Sequence, residues 1–65
     1  NGDTQALHHL IKEVAKERVH REAACSSGTP KDFAEYKNLC GVIQGLSLAE
    51  SIIKDLVQKL EHDDE

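Results

Sequence analysis

The chain has 65 residues, with one Pro, two Cys, no Trp and no Met, and a formal net charge of −4. That length admits one domain, which buries only about 60% of the surface its unfolded form exposes and needs a disulfide, a metal or a partner to be more than marginal. The acidic balance disfavours nucleic-acid backbones and anionic membrane surfaces, and no apolar run approaches the roughly 20 residues of a membrane span.

Apolar residues make up 38% and charged residues 31%, with a single Phe and a single Tyr. The composition reads as all-helical with an aliphatic core. Two cysteines do not make a secreted disulfide framework, and no signal-peptide pattern is visible, so a reducing, intracellular setting is expected. The first residue is Asn1 rather than Met, which leads to the expectation of further residues upstream.

A first helix is expected over 4–25, a stretch free of Gly and Pro, with Asp3 as its cap. Leu7, Leu10, Ile11 and Val14 form its best apolar stripe. One turn further the same sector holds Arg18, Arg21 and Glu22. Those arginines either snorkel, with their stems on the core and their charge in water, or meet acidic groups of a partner.

Ser26-Ser27-Gly28-Thr29-Pro30 is the only breaker cluster in the chain, and a turn over 26–29 is expected there. Gly28 suits the left-handed position that closes a helix. Thr29 is read as the cap of the next helix, Pro30 as its first residue and Asp32 as its third, a near relative of the capping box. A second helix over 30–61 and an acidic tail over 62–65 follow. The expected fold is a single all-α domain over 1–65. It is an antiparallel hairpin of two helices of unequal length, assembled into a larger bundle or onto a partner.

In the second helix Leu39, Leu46, Ile53 and Leu60 recur every seven residues, and Val42, Ala49 and Leu56 follow three later. That is the pattern of a helix–helix seam, in a coiled coil or along one side of a bundle core. Phe33, Tyr36, Cys40 and Ile43 make a second stripe. Ala34, Gly41, Gly45, Leu48 and Ile52 make a third, so the helix is apolar over half its girth and is contacted from more than one side. Gly41 and Gly45, one turn apart, either admit a close helix neighbour or mark a tolerated kink or a spot crowded by a large neighbour.

Folded about Ser27 and Gly28, position i of one arm falls opposite about 55 − i of the other. The first helix then runs out near Ser51. Ile52, Ile53, Leu56, Val57 and Leu60 are left without cover, at about 1.5–3 kcal/mol for each large side chain. The expected partner interface is therefore Leu39, Val42, Leu46, Ala49, Ile52, Ile53, Leu56, Val57 and Leu60, docking on another copy or on a larger structural protein.

Chemistry finds little foothold. His8 and His9 diverge by about 100° on a helix, and His9 with Glu13 makes at most a two-ligand pair. His20 and His62 are read as surface residues, and Cys25 and Cys40 as small core residues. No H-E-x-x-H, phosphate-binding glycine loop or nucleophile elbow occurs. No catalytic residue, metal, cofactor or small-molecule substrate is expected, and the chain is not read as an enzyme. The unequal hairpin resembles in architecture the Rop type of plasmid RNA-binding protein, which makes a dimeric regulator of RNA or of another protein the rival reading. Lys12, Lys16, Arg18 and Arg21 are locally basic, but Glu13, Glu17 and Glu22 interleave with them.

The stretch KDFAEYKNLCGVIQGLSLAESIIKDL, 31–56, carries a resemblance of its own. Asp32, Phe33, Ala34, Glu35 and Tyr36, then Leu39, Cys40 and Gly41, then Gly45 and Leu46 resemble a pattern in small proteins of tailed bacteriophages, of the virion, head-region accessory type. The resemblance implies a virion part near the head, portal or neck, where many copies sit on larger proteins. It implies no role for individual residues.

Overall fold

The structure is a computed structural model and describes residues 2–63. Two helices, α1 (Gly2–Ser26) and α2 (Phe33–Asp63), pack against each other as a hairpin. At 1.5 Å per residue they are about 37 and 46 Å long, and the molecule measures 50 × 14 × 12 Å. Among the described residues no helix is long and apolar enough to cross a membrane.

α1 begins at Gly2, so Asp3 lies within its first turn rather than capping it. The acidic group still faces the positive end of the helix dipole there. α1 closes on Gly28, whose φ is 79°. The Thr29 N–H donates to the Ala24 carbonyl (3.1 Å) and the Gly28 N–H to that of Cys25 (3.3 Å). Those two bonds form a Schellman closure, which needs a left-handed residue at Gly28. Gly28→Ala should therefore lower stability by about 1–2 kcal/mol, read as a lower urea midpoint at unchanged slope. An unchanged midpoint would contradict the assignment.

The second helix starts three residues later than the Thr29-Pro30 signal suggests. Thr29 is already engaged in closing α1, and its hydroxyl lies 3.0 Å from that of Ser27. Asp32 is the actual cap: its Oδ1 accepts the Glu35 N–H at 2.8 Å, and Glu35 Oε2 accepts the Lys31 N–H at 2.8 Å. The longer Glu35 reaches back across the turn to the N–H one residue before the cap, which makes the arrangement a near relative of the capping box built on Asp32 rather than on Thr29. At the far end, His62 and Asp63 belong to α2 rather than to a tail. Asp64 and Glu65 lie outside the described residues.

The seam is regular. In α1 it runs through Thr4, Leu7, Ile11, Val14, Arg18, Arg21 and Cys25, all buried or half-buried. In α2 it runs through Leu39, Ile43, Leu46, Glu50, Ile53, Val57 and Leu60, again all buried or half-buried. Both rows step alternately by three and four, the spacing of a left-handed coiled-coil seam. Leu39, Leu46, Ile53 and Leu60 thus occupy the row expected of them. Their companions are Ile43, Glu50 and Val57, four residues on, instead of Val42, Ala49 and Leu56, three residues on.

Register is where expectation and structure part. Arg18 meets Glu50, and Ile11 lines the same groove as Val57, so residue i of α1 lies opposite about 68 − i of α2. The shift from the expected pairing is about thirteen residues, or about 20 Å. The carboxyl-terminal half of α2 is therefore sheltered by α1. Val57, expected to lie bare, is 3% exposed and is the one buried hydrophobic residue among those described. It is the start of α2, residues 33–41, that runs past α1, by about 13 Å. The connection of residues 27–32 returns alongside it, with Pro30 half-buried.

Candidate functional site

Three places on this hairpin bring chemically distinct groups together. The first is the polar layer inside the seam. Arg18 Nε donates to Glu50 Oε2 at 2.5 Å, Nη2 approaches Oε1 at 3.4 Å, and Nη1 donates to Glu22 Oε1 at 3.0 Å. Glu50 is 6% exposed. The Arg18 hydrogen bond holds its carboxyl below the ordinary Glu range, against the opposing pull of burial, helped by the Arg18 charge and then by Lys54. Arg18 is raised in turn, first by that hydrogen bond. Arg18 pairs across its own hairpin with Glu50, and along α1 with Glu22. Arg21 Nη1 pairs with Glu17 Oε2 at 2.7 Å along α1.

The second place is the overhanging start of α2. Phe33 is 71% exposed, its ring 6.3 Å from that of Tyr36, with Lys37 Nζ 5.7 Å from its centroid. Together with Cys25, Pro30 and Asp32 these rings border an open depression of about 440 Å³. The Tyr36 phenol is pushed above the ordinary tyrosine range, chiefly by its hydrogen bond with Cys40 and then by the nearness of Cys40 and Cys25. Both cysteines are free and half-buried.

The third place is the outer face of α2. Val42, Leu48, Ile52 and Leu56 are exposed, Leu48 at 62% and Ile52 at 59%. Gly41, Gly45 and half-buried Ala49 lie in the same strip. Nothing lies within 4 Å of where a Cβ would stand on either glycine, so α1 is not the close neighbour that their spacing invites. The nine residues expected at an interface accordingly divide. Val57 is buried against α1, while Leu39, Leu46, Ala49, Ile53 and Leu60 are half-buried. Val42, Ile52 and Leu56 remain open to solvent. Leu48 belongs with these last three. Its place between Gly45 and Ile52 in the third apolar stripe was the signal for it.

His9 Nε2 lies 3.6 Å from Glu13 Oε1, an exposed pair. Among the described residues no group of three or more His, Cys, Asp or Glu is placed to hold a metal ion. No protein-family model matches this chain, and comparison with curated proteins and with solved structures finds no match either.

Proposed function

We propose that the chain is a non-enzymatic assembly subunit that docks through the outer face of α2. The observation that carries this reading is the exposed strip of Val42, Leu48, Ile52 and Leu56, which its own chain leaves uncovered. Contiguous apolar surface of this kind marks an interface in a chain of ordinary polar composition. Support comes also from the thinness of the core. A hairpin with a single buried hydrophobic residue among those described gains little from burial by itself. The bacteriophage resemblance of residues 31–56 suggests a particle as the setting, with a larger virion protein near the head, portal or neck as the surface on which copies sit.

A nucleic-acid regulator is the weaker reading. Arg18 and Arg21, which it would need, already carry carboxylate partners at 2.5–3.0 Å, and paired cations release few counterions from a phosphate backbone.

The test is sedimentation of the chain from the cells or particles that make it. Wild type should run with an assembly far heavier than its own 7.2 kDa. Leu48→Asp combined with Ile52→Asp should move it to the free-protein fractions while circular dichroism still reports helix. A doubly substituted chain that keeps its place in the heavy fractions would sink the proposal.

A further inference from the structure

Resting on that docking reading, the geometry points to a specific occupant. We propose that the outer face of α2 pairs with the same face of a second copy of this chain, antiparallel, about a two-fold axis between Leu48 and Ala49.

Large and small residues follow a definite order on this face. Along the strip, Gly41 and Gly45 precede that midpoint, and Ile52 and Leu56 follow it at the same distances. An antiparallel second copy therefore lays its Leu56 over Gly41 and its Ile52 over Gly45, and sets Leu48 against Ala49. Both glycines face open space, so each can receive a large side chain. A parallel copy would instead set glycine on glycine, leaving voids, and would bring Asp55 to Asp55 and Lys59 to Lys59. A two-fold contact must be self-complementary, and a strip that reads large opposite small in both directions meets that condition. A foreign partner would place no such demand on it.

Area leaves room for such a partner. The chain exposes 4929 Å², whereas a folded monomer of 7.2 kDa is expected to expose about 4100 Å². The excess of roughly 800 Å², spread over a molecule of 50 × 14 × 12 Å, is comparable to what one partner contributes to a stable interface. Pairing through α2 would make a four-helix assembly with α1 on each outer side, and would turn Leu48, Ile52 and Leu56 into core.

Light scattering on the full chain, under reductant to keep Cys25 and Cys40 from cross-linking, tests this directly. At about 100 µM wild type should weigh twice 7.2 kDa and dissociate on dilution. Ile52→Asp should weaken the dimer at least about thirtyfold. Gly45→Leu separates pairing from folding, since it should weaken the dimer about tenfold or more by filling the space meant for Ile52. In the monomer a Cβ at position 45 meets nothing within 4 Å, and Leu favours helix over Gly. A spin label at Lys37, with both cysteines replaced by Ala, should find its mate at about 35 Å.

Three results would overturn the pairing: a monomeric wild type, a dimer indifferent to Ile52→Asp and Gly45→Leu, or labels about 15 Å apart as in a parallel pair. A monomeric wild type that is still released from its cellular assembly by the Leu48 and Ile52 substitutions removes the second copy alone. Unchanged sedimentation in cells removes the docking reading itself.

Discussion

Val57→Asp should unfold the hairpin, while Leu56→Asp, one residue earlier, should leave most of its helicity in place. Val57 is 3% exposed and sits in the seam opposite Ile11, whereas Leu56 is 45% exposed on the outer face. Removing the Val57 side chain forfeits about 1.5–3 kcal/mol of burial. The carboxylate added in its place would sit where the native side chain is 3% exposed, and burying a charge there costs several kcal/mol more. A two-helix domain with so thin a core does not hold that much in reserve. Circular dichroism of both variants, at a dilution where wild type is monomeric, makes the comparison. Equal loss of helix in the two would mean that α1 does not shelter the end of α2, and the register described above would be wrong.

Acid should weaken the wild-type hairpin through Glu50, and removing Arg18 should reverse the direction. The folded-state pKa of Glu50 lies below its ordinary value, chiefly because of the Arg18 hydrogen bond. Its stabilising contribution is therefore fully present above the ordinary Glu range, near pH 4.3. It is lost as pH falls from there through the lower folded-state value. In Arg18→Met the hydrogen bond and the nearest charge are gone. Burial then outweighs the smaller influence of Lys54 and raises the Glu50 pKa, so protonating it becomes favourable to folding. Melting temperature against pH should accordingly fall with acid in wild type. In Arg18→Met it should start several degrees lower at neutral pH, and the gap should narrow on acidification. Parallel curves would show that the pair does not operate in solution.

The double variant Arg18→Leu, Glu50→Leu completes the cycle. A well-packed apolar layer commonly matches or exceeds an ion pair in stability, so this variant should melt no lower than wild type. What it gives up is the mark that distinguishes one heptad from the next. A buried polar layer is a recognised means of holding register, and here Arg18 and Glu50 join the two helices through such a layer. Slipped pairings should appear as extra amide resonances in the double variant.

Much of this architecture could be read in the sequence. Ser26-Ser27-Gly28-Thr29-Pro30 is the lone breaker cluster, so two helices and one reversal followed from local chemistry. The left-handed conformation of Gly28 followed as well, because no other residue there tolerates it. The surplus of apolar surface on α2 was visible in its stripes. Leu39, Leu46, Ile53 and Leu60 took their place in the seam because a seven-residue repeat survives any change of neighbour.

That same invariance is why the sequence could not say which parts of the two helices meet. A heptad pattern looks alike after a slip of seven or fourteen residues, so the turn was left to set the register, and local signals misplaced the start of α2 by three residues. Glu50 concealed the true seam by breaking the apolar row of Ile43 and Val57, and only Arg18, brought up from thirty-two residues away, makes a carboxylate acceptable there. The identity and number of the helices are local properties of the chain. Their offset, and with it which apolar face lies bare, is a tertiary property, seen where Arg18 meets Glu50 once the helices have come together.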